Sequence, residues 1–164
     1  MAADSPEAAQ MALVSDLIAH ICRAGFEDWY IINQLCDLIM THELCALQSN
    51  LSLAEQLRVS ANADPVLMRV ARLWLILLRN CGHTYIEYNA SPATKFIESL
   101  ENVLTQHPES HSSKRLARVL GSAVYDHAKM DVRHPYTVLW LKIKYPGQPV
   151  TVRATRRLFG FPMV

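Results

Sequence analysis

The stretch from Asp64 to Gly82 constrains the fold of this chain more than any other. On a helical wheel its three arginines, Arg69, Arg72 and Arg79, fall on one narrow stripe, and the other positions are mostly Val, Leu, Ile, Met, Ala and Trp. A helix that is apolar around most of its circumference is surrounded by other helices. It is shorter than the roughly 20 apolar residues of a membrane span, and its arginines oppose insertion. The stretch therefore predicts a central helix of a helical domain.

The expected ends of this helix are marked by three residue types. Asp64 is the predicted N-cap, Pro65 suits the first helical position, and Gly82 is the predicted stop.

Composition favours a single all-α domain. The chain has 164 residues, 51% of them hydrophobic and 19% charged, so it can bury a substantial core. The apolar spacing is mostly helical. We expect a helical domain over residues 1–149, with residues 150–164 as a strap on that domain or a tail.

The first two predicted helices differ in what they leave exposed. Residues 9–23 and about 27–41 each have apolar residues on one side. Trp29 lies roughly 120° from the centre of the apolar stripe of the second helix, on a flank with Asn33. We interpret Trp29 as only partly covered; the alternative is a peripheral core residue, because tryptophan is highly buried on average.

The boundaries of the helices after residue 50 are predicted from local residue patterns. Ser52 and Glu55 have the spacing of a capping box, which predicts a junction near Asn50 and a short helix to about Ser60. Pro92 is the predicted start of another helix. A last short helix is expected over residues 138–143.

Charge is distributed unevenly along the chain. Residues 1–110 carry a net charge of −7 and residues 111–164 a net charge of +8, which gives the total of +1. The basic end could meet phosphates, an acidic partner or an anionic membrane surface. It could equally pack beside the acidic part of the same chain.

Residue patterns for catalysis or metal binding are weak. The histidine pairs His107/His111 and His127/His134 lack cysteine or glutamate partners in register, so we interpret them as solvated. Cys81 and His83 could form a thiol–imidazole pair, but an inert core cysteine is the preferred interpretation. We expect no enzyme activity, no metal and no cofactor.

The sequence favours neither a nucleic-acid-binding protein nor a secreted protein. The arginine stripe of the central helix could follow a nucleic-acid backbone, but a solvated helix face explains the same residues and is clearly preferred, so no nucleic-acid partner is expected. The N-terminus has no basic start or short apolar core, so no signal peptide is predicted. The four cysteines, which lie in apolar runs, are expected to be reduced and buried in a cytosolic protein: Cys22, Cys36, Cys45 and Cys81.

Three segments carry a resemblance to a known family. The acidic-Asp-Trp start and Cys-Asp pair of residues 27–37 resemble the second helix of VHS domains. The Asn-Cys-Gly end at residues 80–82 is similar to the end of that family's fourth helix, and residues 93–100 are similar to its next segment. The resemblance covers roughly residues 9–145, and residues 138–144 are similar to fungal-type members.

The resemblance implies a right-handed superhelix of about seven to eight helices. It also implies an adaptor module in endosomal or Golgi protein sorting, cytoplasmic and peripheral on those membranes. Many members bind ubiquitin weakly through the second and fourth helices. The corresponding residues in this chain are Trp29, Asn33, Gln34, Arg69 and Arg72.

Two departures from the family pattern bear on ubiquitin binding. Asn33 stands where members often have an apolar residue, which removes apolar contact worth on the order of 1 kcal/mol. Arg69 and Arg72, on the open stripe of the central helix, would repel the basic neighbours of the ubiquitin patch.

Two alternative ligands follow from the basic C-terminal third. Other VHS domains bind acidic-dileucine sorting signals between the sixth and eighth helices, and the basic residues that could suit such a peptide are Lys114, Arg115, Arg118, Lys142 and Lys144. Domains similar to this superhelix bind phosphoinositides, for which Arg153, Arg156 and Arg157 are the candidates.

Overall fold

The chain forms an all-α fold, as the sequence predicts. A computed structural model describes residues 5–129 and 131–147, and within them there are eight α-helices, one short 3₁₀ turn and no β-strand. The helices are α1 (Pro6–Arg23), α2 (Trp29–Thr41), α3 (Glu43–Val59), α4 (Asp64–Asn80), α5 (Gly82–Ala90), α6 (Phe96–Gln106), α7 (His111–Asp126) and α8 (Pro135–Lys144). The predicted strap or tail at 150–164 lies outside the described residues.

Two helices occupy the interior. α4 packs against α1, α3, α5 and α7, and its buried face includes the fully enclosed Trp74, which confirms the predicted central helix. α3 packs against α1, α2, α4, α5 and α6. α1 and α2 pack on α3, and α8 packs on α6 and α7, so the peripheral helices cover the two interior ones in an arrangement consistent with a superhelical fold. None of the described helices is long and apolar enough to span a membrane.

The predicted junction near Asn50 is wrong, because α3 runs unbroken through it. Ser52 is buried inside this helix, and its hydroxyl lies 2.9 Å from the Ser15 hydroxyl of α1 instead of capping a helix. The Asn50 amide donates to the carbonyls of Ala46 (2.9 Å) and Tyr85 (3.3 Å). Ser52 bonds to α1, and Asn50 bonds both to the preceding turn of α3 and to Tyr85 of α5, so neither side chain interrupts the helix.

The ends of α4 are only partly as predicted. Gly82 adopts a left-handed φ of 77° just past the helix, which confirms it as the stop, but it also opens α5, a helix that the sequence analysis did not predict. Asp64 is not an N-cap. Its carboxylate instead accepts hydrogen bonds from the Ser112 backbone N–H (3.0 Å) and hydroxyl, and these hydrogen bonds lower the pKa of Asp64.

Two later helices begin away from the predicted positions. Pro92 opens the 3₁₀ turn, and Lys95, with a left-handed φ of 57°, separates that turn from α6. α8 begins at Pro135, because the His134 ring nitrogen Nδ1 accepts a hydrogen bond from the Tyr136 N–H and caps the helix.

A buried polar network joins four helices around Asn89. The Asn89 carbonyl oxygen accepts hydrogen bonds from Trp74 Nε1–H (3.0 Å) and from the Tyr136 hydroxyl. Its amide donates to Asn50 Oδ1 at 2.8 Å. All four side chains are fully buried, and burial raises the pKa of Tyr136 well above its ordinary value. Each member of this network therefore depends on Asn89 for a partner.

Asn89→Ala is expected to lower the free energy of unfolding by about 2–4 kcal/mol, because it leaves the Trp74 and Tyr136 donors buried without acceptors. Urea denaturation followed by circular dichroism measures the change. Asn102→Ala, at an exposed position of α6, is the matched control and should change stability by less than about 0.5 kcal/mol. Equal effects of the two substitutions would contradict the role of the network.

Candidate protein-binding groove

A surface groove separates α2 from α4. α2 packs on α1 and α3 and scarcely approaches α4, which leaves a cavity of about 380 Å³ between them. The residues that line it, the α2–α4 groove, are Trp29, Ile32, Asn33, Cys36, Asp37, Met40, Ile76 and Asn80.

Trp29 lies at the start of α2 and is held there by the helix cap. The Asp28 carboxylate accepts hydrogen bonds from the N–H groups of Tyr30 (3.0 Å) and Ile31 (3.3 Å), which fixes the first turn. The Trp29 side chain is 49% exposed, so the prediction of a partly covered indole is confirmed and the core alternative is not. A half-exposed indole offers a flat apolar surface to a partner.

The other two α2 residues predicted to bind ubiquitin, Asn33 and Gln34, differ in their position relative to the groove. Asn33 is exposed and lines the groove one turn after Trp29. Gln34 is exposed but does not line the groove.

The predicted arginines of α4 lie in an adjoining cavity of about 250 Å³, which shares Ile32 and Ile76 with the α2–α4 groove. Arg69 Nε donates to the Cys22 carbonyl at 2.6 Å, at the end of α1. Arg72 Nε lies 2.6 Å from the Glu27 carboxylate. Arg69 thus ties the end of α1 to α4, and Arg72 ties the α1–α2 connection to α4.

These contacts correct the interpretation of the arginine stripe. Arg79 is exposed, as a solvated face requires, but Arg69 is half-buried and bonded to the backbone. Glu27 offsets the charge of Arg72, so the predicted repulsion of basic partners is weaker than the sequence alone implied.

Exposed apolar side chains flank the groove. Met40 lies at one end of it, and Phe26 lines the adjoining cavity beside the arginines. The sequence analysis singled out neither residue: Phe26 lies between the first two predicted helices, and Met40 lies outside the apolar stripe of α2. Phe26, Trp29 and Met40 are thus exposed apolar residues along the two adjoining cavities, and exposed apolar surface is a common feature of interaction sites. The exposed Asp37 adds negative charge to the groove.

A second groove, of about 430 Å³, lies between α6 and α8. Ile97, Val138 and Leu139 contribute apolar surface. The residues that complete this α6–α8 groove are Ala90, Pro92, Lys95, Glu98, Glu101, Arg133, Pro135 and Lys142.

The predicted basic cluster is not brought together in the α6–α8 groove. Among its members only Lys142 lines the groove, where it pairs with Glu101. Lys144 lies 5.0 Å from the centre of the Trp140 ring, and Lys114 lies 3.5 Å from the Glu109 carboxylate. Arg115 and Arg118 belong to α7 and do not line the groove.

The residues considered for catalysis or metal binding line neither the α2–α4 groove nor the α6–α8 groove. The His83 ring bonds to the Glu87 carboxylate at 3.0 Å rather than to Cys81. Within residues 5–129 and 131–147, no group of three or more His, Cys, Asp or Glu side chains could hold a metal ion. Arg153, Arg156 and Arg157 lie outside the described residues.

No family model, curated protein or solved structure matches this chain. The likeness to VHS domains therefore rests on the motifs in α2, at the end of α4 and in residues 93–100, which include the start of α6, and membership of that family stays a prediction.

Proposed function

We propose that the chain is a non-catalytic adaptor module that binds ubiquitin or ubiquitinated cargo weakly through the α2–α4 groove. Its proposed setting is protein sorting at endosomal or Golgi membranes, as the resemblance to VHS domains implies. The observation that carries the proposal is Trp29, a half-exposed indole held by a capped first turn at the edge of an open groove lined by both apolar and polar side chains.

The chemistry of the groove suits a small apolar patch with basic neighbours, which is the surface that VHS domains recognise on ubiquitin. Trp29, Ile76 and Met40 provide apolar contact, and Asp37 provides a negative charge close to them. Asn33 lies among them and contributes no apolar surface. The interface is accordingly small, which fits a weak and transient partner.

Titration of ¹⁵N-labelled protein with unlabelled ubiquitin should shift amide resonances of residues 26–40 and 72–80. Trp29→Ala should weaken binding about tenfold, a loss of about 1.4 kcal/mol, because the indole is the anchor of the contact. The NMR titration measures both the location and the affinity.

Tyr125→Ala is the matched control, since Tyr125 is an exposed aromatic of α7 that does not line either groove. It should bind ubiquitin like the unmodified chain. Shifts confined to other helices, or equal affinities of the two variants, would contradict the proposal.

The α6–α8 groove supports a second candidate function, binding of an acidic-dileucine sorting peptide. Two leucine side chains could contact Ile97 and Val138, while Lys95 and Arg133 on the same groove could meet the acidic residues. Glu98 and Glu101 oppose that charge, which is why ubiquitin is the first candidate.

A peptide with an acidic cluster followed by two leucines tests this candidate by the same NMR measurement. Val138→Ser should reduce its affinity about threefold or more, because Val138 is a 46% exposed apolar residue of the groove. Val59→Ser, 53% exposed on α3 and outside the groove, should leave the affinity unchanged. Equal losses in both variants would exclude the groove as the site.

Phosphoinositide binding through Arg153, Arg156 and Arg157 stays a prediction from the sequence. Liposome sedimentation with and without residues 150–164 distinguishes it from the two groove proposals.

A further inference from the structure

The cavity that adjoins the α2–α4 groove combines apolar walls with two arginines. It lies between α1, the α1–α2 connection, α2 and α4, and its volume is about 250 Å³. It shares Ile32 and Ile76 with the groove, and its other lining residues are its own. We call it the arginine cavity; the lining residues that bear on a ligand are Ile21, Ile32, Leu73, Ile76, Arg69 and Arg72.

The walls of the arginine cavity are aliphatic and fixed by the fold. Ile21 comes from α1, Ile32 from α2, and Leu73 and Ile76 from α4. Ile32, Leu73 and Ile76 are buried members of the hydrophobic core, so their positions do not depend on a ligand. The cavity is therefore formed in advance, as small-molecule sites usually are.

Arg69 brings to this cavity a positive charge that no carboxylate of the described chain offsets. The side chain is half-buried, and its Nε–H donates to the Cys22 carbonyl in the last turn of α1 at 2.6 Å. The C-terminal dipole of a helix is equivalent to only about half a negative charge. Among residues 5–129 and 131–147, Arg69 forms no ion pair and its terminal N–H groups have no acceptor. A half-buried guanidinium without a counter-ion favours an anionic ligand.

Arg72 and Glu27 add little to the charge of the cavity, because they pair with each other. Arg72 Nε lies 2.6 Å from the Glu27 carboxylate, and both residues line the cavity. Two arginines and one glutamate leave the lining with a net charge of +1. That charge matches a ligand with a single negative charge.

The volume of the arginine cavity limits the size of the ligand. A water-sized group occupies roughly 30 Å³ in a liquid, so about 250 Å³ holds on the order of eight non-hydrogen atoms. A nucleotide or an inositol phosphate is larger than this and carries more negative charge. The cavity therefore suits neither of them.

We propose that the arginine cavity is a binding site for a small apolar monocarboxylate, a carboxylic acid with a short aliphatic chain. The carboxylate accepts charge-assisted hydrogen bonds from the terminal N–H groups of Arg69. The aliphatic chain contacts Ile21, Leu73 and Ile76 and leaves water. This site goes beyond the proposed function, because its ligand is a free small molecule and binds without ubiquitin.

Titration of the ¹⁵N-labelled chain with sodium hexanoate tests the site by NMR. Saturable shifts are expected for the amides of residues 21–27 and 69–76 and for the Arg69 side-chain Nε–H. Hexanamide has the same size without the charge and should bind about tenfold more weakly or worse. Acetate has the charge without the chain, and its affinity should also be lower by about tenfold or more.

Arg69→Gln should weaken hexanoate binding about tenfold or more, because it removes the charge but keeps a side-chain donor for the Cys22 carbonyl. Arg79→Gln is the matched control, since Arg79 is an exposed arginine of the same helix that lines neither the arginine cavity nor the α2–α4 groove. Its affinity for hexanoate should be unchanged. Circular dichroism checks that both variants fold. If Arg69→Gln does not fold, the comparison of hexanoate, hexanamide and acetate on the unmodified chain decides.

Three outcomes would overturn the proposal: no saturable shift with hexanoate, equal affinities for hexanoate and hexanamide, or shifts confined to other helices. Acetyl-glycyl-leucine with a free carboxylate is the fourth probe. If it binds about tenfold more tightly than hexanoate, the cavity belongs to the C-terminus of a peptide and the proposed ligand is wrong. Because the titration contains no ubiquitin, failure of ubiquitin binding would count against the proposed function alone.

Discussion

The burial of α4 is the constraint on which the rest of the structure depends. A helix with apolar residues on most of its circumference must be covered on several sides, and α1, α3, α5 and α7 provide that cover. The arginine stripe of α4 also makes tertiary contacts: Arg69 bonds to the end of α1, and Arg72 bonds to the α1–α2 connection. Trp74 adds a polar atom to the core, and Asn89 satisfies it.

The candidate binding groove is a consequence of how α2 is attached. α2 buries its apolar stripe against α1 and α3, so it does not need α4 for cover. The space left beside α4 exposes one side of Trp29, while Ile32 and Ile76 form apolar walls below it.

Features set by local pattern were predictable from the sequence. The central helix, the glycine that stops it and the partial exposure of Trp29 all follow from spacing along a single segment. Features that depend on contacts between residues far apart in the sequence were not predictable. Asn50 and Ser52 looked like a helix junction because their partners, Tyr85 and Ser15, lie more than thirty positions away.

The candidate site shows the same division. Trp29 and Asn33 were predicted from the pattern of one helix and its likeness to a known family. The positions of Phe26 and Met40 beside the cavities depend on how α2 lies relative to α4, which the sequence pattern does not give. The pairing of Arg72 with Glu27, which changes the charge presented to a partner, is likewise a contact across 45 positions.

The central claim is that the indole at position 74 is part of the core while the indole at position 29 faces solvent at a binding groove. Urea denaturation of Trp29→Ala and Trp74→Ala tests it most directly. Trp74→Ala should lower the free energy of unfolding by about 3–5 kcal/mol or prevent folding, and Trp29→Ala should lower it by about 1 kcal/mol or less. A loss at Trp29 as large as that at Trp74 would contradict the account.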